Sequence, residues 1–334
     1  MTIVLDAMGT DQHPIPEITA ASKLANNSNF DISLVGHQDI LEKSLSELGL
    51  GDLGLKIHHA KDIVSMQDKA VASAKTKPEN SMAVGIELVK SGKAKAFVTA
   101  GNTGAAYFNA IRILKRIKGI SRPALTTTIP TKNGRCVFMD TGANADCRPE
   151  FLFEFAIMGG VFAEKTFGIK NPRIALLSNG EEEGKGNTLV RDAYKLLKES
   201  SLNFLGNIEP KEIFAGKADV VIADGFTGNV FIKTSEAVAK FITDILKDGI
   251  RASFLRKLGY LLVKPAFAPL KSKLDPAEIG AAILLGVDGL VFIGHGSSDS
   301  RAMISAVKLA QKTIDTNLLD AIKDRLQEQL SEMN

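Results

Sequence analysis

Ala96-Phe-Val-Thr99 runs directly into Ala100-Gly-Asn-Thr-Gly104, and residues from Thr103 to Lys115 then place apolar side chains at helical spacing. A short apolar run, a turn of small polar residues and an amphipathic helix make one strand–turn–helix unit. Repeated, that unit builds a parallel sheet covered by helices on both faces. The same alternation extends outward in both directions. Ile3–Asp6, Ile32–Val35, Leu55–His58, Val137–Asp140, Ile174–Ser178, Val220–Asp224 and Leu290–Gly294 read as further buried strands. Ser81–Ser91, Glu150–Phe167, Thr188–Ser200 and Glu236–Asp248 read as helices, and Ser300–Glu332 as a packed tail of one or two more. The fold class is α/β, with one domain expected over residues 1–334.

Composition limits the function. Hydrophobic residues make up 45% and charged residues 24% of the 334, an ordinary globular balance with ample length for a core. A formal charge of +3 and an aromatic content of 6% argue against nucleic acid as a partner. Cys136 and Cys147 lack CxxC spacing and fit a reducing compartment better than a disulfide scaffold. The start, Met1-Thr-Ile-Val-Leu-Asp6, reads as a strand and not a signal peptide. No apolar run reaches the roughly 18 residues of a membrane span, so the cytoplasm is expected. His13, His37, His58 and His59 show no ligand spacing, and no metal is expected.

Chemistry concentrates where strands end. Six turns share one vocabulary: Asp6-Ala-Met-Gly-Thr-Asp11, Thr99-Ala-Gly-Asn-Thr-Gly104, Asp140-Thr-Gly-Ala-Asn-Ala-Asp146, Ser178-Asn-Gly-Glu-Glu-Glu-Gly-Lys-Gly-Asn187, Asp224-Gly-Phe-Thr-Gly-Asn229 and Gly294-His-Gly-Ser-Ser298. Glycine admits close backbone approach, Asn and Ser donate hydrogen bonds, and a helix start adds partial positive charge. Together on one sheet edge, such turns suit a phosphate-bearing small molecule. The GxGxxG and GxxxxGK[ST] fingerprints are absent, so nicotinamide or nucleotide triphosphate use has no warrant and no cofactor is expected.

These blocks, with Cys147-Arg-Pro149 and Gly206-Asn-Ile-Glu209 in the same order, closely resemble the bacterial phosphate acyltransferase family of phospholipid synthesis, the PlsX proteins. Thr10 stands where that family more usually has a second Gly, and Thr99 where Ser is commoner. A positive φ at position 10 would strain Thr. The resemblance implies a Rossmann-like α/β/α sandwich with a mostly parallel sheet, related to phosphotransacetylase and isopropylmalate dehydrogenase. It also implies a homodimer and transfer of a fatty acyl group from acyl-[acyl carrier protein] to inorganic phosphate, forming acyl phosphate. The implied workplace is the cytoplasmic face of the membrane, beside a glycerol-3-phosphate acyltransferase that consumes the product. An acyl-CoA-dependent reaction of phosphotransacetylase type is the alternative.

Phosphate is already an anion and a thiolate leaves readily, so orientation and oxyanion stabilisation carry such a reaction. Lys185, between Gly184 and Gly186, is the candidate for holding phosphate or polarising the thioester carbonyl. Asn229 is a candidate oxyanion donor and His295 a candidate proton carrier. Asp6, Gly9, Asn102, Thr103, Gly104, Asn144, Gly186, Asn187, Asp224 and Gly228 are candidates for the phosphate and substrate pocket, with Asp6 and Asp224 also suited to fixing loops. The bland alternatives are a solvated lysine, helix caps and a turn histidine.

Residues 251–273 break the pattern. Arg251, Arg256, Lys257, Lys264, Lys271 and Lys273 face no acidic residue there, and Phe254, Leu255, Leu258, Leu261 and Leu262 add apolar surface. A protruding helical segment is expected over about 245–275, as a dimer contact or as a surface for bilayer or carrier protein. Pro265 and Pro269 argue against one continuous helix across it.

Overall fold

Alternating side chains decide which way each strand faces. In the computed structural model, which describes residues 1–25 and 30–332, β1 (Thr2–Asp6) sends Ile3 and Leu5 to one side and Val4 to the other, all fully buried. The first half continues with α1 (Ile15–Ala25), β2 (Asp31–Gly36), α2 (Gln38–Glu47), β3 (Lys56–His59), α3 (Ala70–Thr76), α4 (Ser81–Lys90), β4 (Ala96–Thr99) and α5 (Thr103–Leu114). Then come β5 (Ala124–Thr131), β6 (Gly134–Met139), α6 (Pro149–Phe167), β7 (Ile174–Leu177), α7 (Thr188–Lys198), β8 (Phe204–Ile208), α8 (Pro210–Ala215) and β9 (Val220–Ile222). The chain ends with α9 (Gly225–Arg251), α10 (Phe254–Leu274), α11 (Pro276–Ile279), β10 (Ala282–Leu285), β11 (Leu290–Ile293), α12 (Ser300–Asp315) and α13 (Leu318–Glu332).

Among the described residues, eleven strands form one sheet in the order β3-β2-β1-β4-β11-β10-β5-β6-β9-β7-β8. Most ladders are parallel, but β10 pairs antiparallel with both β11 and β5, and β5 with β6. Strand direction therefore reverses inside the sheet. β1, β4 and β11 point one way, and β6, β9 and β7 point the other. The expectation that all six polar turns share one edge is corrected here. They form two sets of three, because the reversing strands β5 and β10 gave no direction signal in sequence.

Two helical expectations also change. Gly225-Phe-Thr-Gly-Asn229 is the first turn of α9 and not a loop, since Asp224 caps a helix that begins well before Glu236. α10 passes through Pro265 and Pro269 without ending. Each proline removes one backbone hydrogen bond, and on an exposed hairpin water can satisfy the freed carbonyl. The actual break falls at Ala252-Ser253, between α9 and α10, which pack on each other. The side chains of Leu270, Lys271 and Lys273 lie outside the described residues.

Candidate functional site

On the first edge, Asp6 is sealed from solvent and accepts from Met8 N (3.0 Å) and Thr99 Oγ1 (2.7 Å). Burial pushes its carboxyl above the usual range, with those hydrogen bonds opposing. It is a strut between two turns. Gly9 serves the same junction: a Cβ there would lie 2.8 Å from Gly101 N and 2.9 Å from Ala100 N. Thr10 does not carry the feared strain, because the non-glycine positive φ values among described residues belong to Lys115, Asn171 and Asn317. Its N–H instead donates to buried Glu17 (2.9 Å).

Asn102 caps α5 by accepting from Ala105 N (3.0 Å) and directs its amide nitrogen toward the carbonyls of Ser65, Met66 and Asp68. Its donors are engaged by protein. Thr103 and Gly104, at the start of α5, remain exposed. His295 is exposed on the neighbouring turn, where its Nδ1 accepts from Ser297 N (3.3 Å) and lies 2.8 Å from Ser297 Oγ. In the neutral ring that leaves the proton on Nε2. Asp11 N donates to Gly296 O (2.7 Å), tying the first turn to this one.

The second edge is organised by Asp140. Its carboxylate accepts from Leu125 N, Gly142 N, Ala143 N, Asn144 N and Asn144 Nδ2, at 2.7–3.1 Å. Burial raises this carboxyl, while the ring of donors favours its ionised form. Asn144 also donates to Pro123 O (2.8 Å), so both amide hydrogens are engaged and only Oδ1 remains. Asn144 holds the turn together and has no donor left for phosphate. Asp224 caps α9, taking Thr227 N (2.8 Å) and Thr227 Oγ1 (2.7 Å).

The start of α9 lies directly on this turn. Gly225 N donates to Asn144 O (2.7 Å), and a Cβ on Gly225 would come within 2.6 Å of that oxygen. A Cβ on Gly228 would overlap the Asp140 carbonyl. Gly228 is thus a packing position. Half-buried Asn229 donates to Thr141 O (2.9 Å), with its Oδ1 left over.

Lys185 lies in the turn between β7 and α7, and β6, β9 and β7 are consecutive and parallel, so the turns carrying Lys185, Asn144 and Asn229 share this edge. Its side chain is exposed, its stem lies against Gly180, and among the described residues it makes no ion pair. The neighbouring acids do not orient it. Glu181 reaches Lys217 (3.8 Å) and Glu183 reaches Lys198 (2.8 Å). Gly186, at φ 89°, donates to Asn179 Oδ1 (2.9 Å), and Asn187 caps α7 through Val190 N (2.9 Å). Asn102 belongs with Thr103, Gly104 and His295 on the first edge, away from this group.

One side chain spans the two sets, and the sequence reading missed it. Tyr107 lies four residues after Thr103 on the same face of α5, and its hydroxyl is 3.5 Å from Asn144 Oδ1. Burial raises its phenol; Arg122 and Arg116 act in the opposite sense. The available signal was that helical spacing alone. Cys147 donates to Asn144 O (3.4 Å), and its thiol is pushed up to about 12 by burial. It stays protonated at neutral pH and is a poor nucleophile.

The described residues contain no cluster of three or more metal-ligating side chains, and no helix long and apolar enough to cross a membrane. A family model described as "Fatty acid synthesis protein" matches residues 1–320. The phosphate acyltransferase of Elusimicrobium minutum is 42% identical over 329 residues, covering 98% of this chain and 96% of that protein. The phosphate acyltransferase of Dictyoglomus turgidum is 44% identical over 316 residues, covering 94% of each. The chain belongs to this family. Among solved structures, a phosphotransacetylase from Streptococcus pyogenes superposes with a TM-score of 0.63 at 20% identity, covering 94% of each chain. A 4-hydroxythreonine-4-phosphate dehydrogenase from Klebsiella pneumoniae gives 0.54 at 13% identity, covering 93% of this chain and 98% of that one. At such identities the likeness establishes the α/β fold and nothing about chemistry.

Proposed function

We propose that this protein transfers a fatty acyl group from an acyl carrier protein to inorganic phosphate, releasing acyl phosphate for phospholipid synthesis. The observation that carries the proposal is the family membership, over nearly the whole chain, with relatives named phosphate acyltransferase. The polar turns at the α5 and α9 helix starts belong to opposite sheet edges and meet through Tyr107, whose hydroxyl is 3.5 Å from Asn144 Oδ1; each offers helix-start N–H groups that suit an anionic substrate. A phosphate oxygen attacks the thioester carbonyl, the tetrahedral oxyanion collapses, and the C–S bond breaks. The proton lost by hydrogen phosphate ends on the departing thiolate. Nothing in this sequence needs an acyl-enzyme, in keeping with the protonated state of Cys147.

Roles follow from which groups are free. Lys185 pairs with phosphate or the oxyanion, and exposed Thr103 with Gly104 offers the α5 N-terminus to phosphate. Asn229 and Asn187 line the pocket, and Tyr107 adds a hydroxyl at the junction. His295 Nε2 gives its proton to the departing sulfur and is refilled by the proton that hydrogen phosphate loses. Asp6, Gly9, Asn102, Asn144, Asp224, Gly186 and Gly228 shape the turns. A groove of about 430 Å³ between β5 and α9, lined by Ile129, Pro130, Phe214, Ile232 and Ala239 and further along α9 by the Lys240–Asp244 ion pair, takes the acyl chain.

The whole chain acts as one enzyme domain with the α9–α10 hairpin projecting from it. Exposed Phe254, Leu255, Leu258, Leu261 and Leu262, with Arg251, Arg256 and Lys257, rest on the inner face of the cell membrane. The apolar stripe of Phe241, Ile242 and Ile245 on α9 pairs with a second copy. The product passes to a membrane glycerol-3-phosphate acyltransferase. The test is to give purified protein phosphate with either palmitoyl-carrier or palmitoyl-CoA and trap acyl phosphate with hydroxylamine. Phosphate-dependent hydroxamate from the carrier supports the proposal, and product from CoA alone assigns the phosphotransacetylase-type reaction instead.

A further inference from the structure

Residues 103–139 hold seven Lys or Arg and no Asp or Glu. Six cations lie along two adjoining hollows that share Ile111 and Arg116. Arg112, Lys115, Arg116 and Lys118 line one of about 650 Å³, and Arg116, Arg122 and Arg148 line the other, of about 700 Å³. All six are exposed. None makes an ion pair among the described residues, although ion pairs occupy cations elsewhere on the surface, from Lys77 to Arg325. Arg112 donates to Asn109 Oδ1 (3.1 Å) and Arg116 to the Ser121 carbonyl, neither of which neutralises charge. Among the described residues, Asp146 is the one acid lining either hollow. Glu154, close behind, is turned inward and engaged by Ser121 N (2.7 Å) and Ser121 Oγ (2.6 Å). Arg116 acts electrostatically on that Glu154 carboxyl, while the other five cations make no ion pair among the described residues; a patch so sparsely compensated is self-repulsive, and an acidic partner relieves it.

The patch is continuous with the candidate site. Tyr107, whose hydroxyl meets Asn144, lines the first hollow, and Cys147 lines the second. Along α5, the rise from Thr103 to Lys115 is about 18 Å. That distance exceeds a side chain's reach and suits a cargo delivered on a long flexible arm from a protein docked outside.

The geometry points to the surface formed by Arg112, Lys115, Arg116, Lys118, Arg122 and Arg148 as the docking face for the acidic carrier protein, with its thioester arm entering past Tyr107. This rests on the carrier-dependent reaction proposed above, and it separates carrier docking from the α10 hairpin, which is left to the membrane. Charge complementarity selects a folded acidic protein. A rim of charges of this kind acts chiefly on association rate and salt dependence.

The experiment compares wild type with Arg112→Glu/Lys118→Glu, two positions outside the catalytic residues, and with the neutral Arg112→Gln/Lys118→Gln pair. Each is assayed with palmitoyl-carrier and with a carrier-free palmitoyl-pantetheine thioester at saturating phosphate. Expected for the charge-reversed pair are a KM for palmitoyl-carrier raised about tenfold, kcat retained, and unchanged turnover of the carrier-free thioester. The neutral pair falls between. Wild-type KM for palmitoyl-carrier rises with salt, a readout that needs no variant to fold. Unchanged KM in the charge-reversed pair, or a salt-independent wild-type KM, overturns the docking face while leaving the reaction intact. If instead the variants lose binding to phosphatidylglycerol vesicles with carrier KM unchanged, the patch belongs to the bilayer and the inference fails. Wild type that ignores palmitoyl-carrier and uses only palmitoyl-CoA defeats the reaction proposal itself, a different outcome from either.

Discussion

Replacing Gly225 by Ala places one methyl group against a surface that cannot yield. The added Cβ would stand 2.6 Å from Asn144 O, 2.8 Å from Asn144 N and 2.9 Å from Asn144 C, all backbone atoms. Ordinary contact begins near 3.4 Å, so α9 and the Asp140 turn must separate by about 0.8 Å. The separation also weakens the 2.7 Å bond from Gly225 N to Asn144 O. Overpacking of this kind costs about 1–3 kcal/mol. A displacement approaching 1 Å in a positioning element costs up to about a hundredfold in rate. Gly225→Ala should therefore lower the urea midpoint and reduce kcat/KM for phosphate-dependent thiol release by about tenfold or more. Gly249→Ala, on the same helix and with open space where its added Cβ would stand, is the control. It should keep full activity and gain about 0.5–1 kcal/mol of helix stability. A Gly225→Ala protein with wild-type kcat/KM and midpoint would refute the coupling of α9 to the Asp140 turn.

Lys185→Ala should lower kcat/KM on the order of a hundredfold or more, as loss of one charge-stabilising donor does; near-normal steady-state turnover removes Lys185 from the site. Leu258→Glu with Leu262→Glu should abolish co-sedimentation with anionic liposomes while sparing turnover of soluble substrate, and undiminished sedimentation contradicts the hairpin's role. Glu17→Gln should raise stability at neutral pH. Burial holds the Glu17 carboxyl above its usual range, and its Oε2 has no hydrogen-bond partner among described residues. Below the unfolded pKa both states are protonated and no penalty exists. As pH rises through the raised folded value the charge must be buried and wild type loses stability. Urea midpoints of wild type and variant should accordingly converge near pH 4 and diverge toward pH 7; a constant gap speaks against it.

Local chemistry was legible where one segment carries its own signal. Strands such as Ile3–Asp6 and Ala96–Thr99, and caps such as Asn102 and Asn187, declared themselves by apolar runs and turn residues. The three unread strands each disguise themselves. β5 is a threonine run with Pro130, β8 contains Gly206 and Asn207 in turn-like order, and β10 merges with β11 in one apolar stretch. Two of them reverse the sheet, a property of long-range pairing that no local pattern records. Asn144 illustrates the same limit at the site. Its type suggested a phosphate donor, yet Pro123, 21 residues away, and Asp140 claim both its hydrogens. Tyr107 was hidden for the converse reason, since its partner lies across the sheet reversal.

The most direct test follows phosphorus by NMR while purified protein, palmitoyl-carrier and inorganic phosphate react. An acyl phosphate resonance should grow as inorganic phosphate declines, in equal amount to the free thiol released. Thiol release with phosphate untouched would make the protein a thioesterase and contradict the proposed transfer.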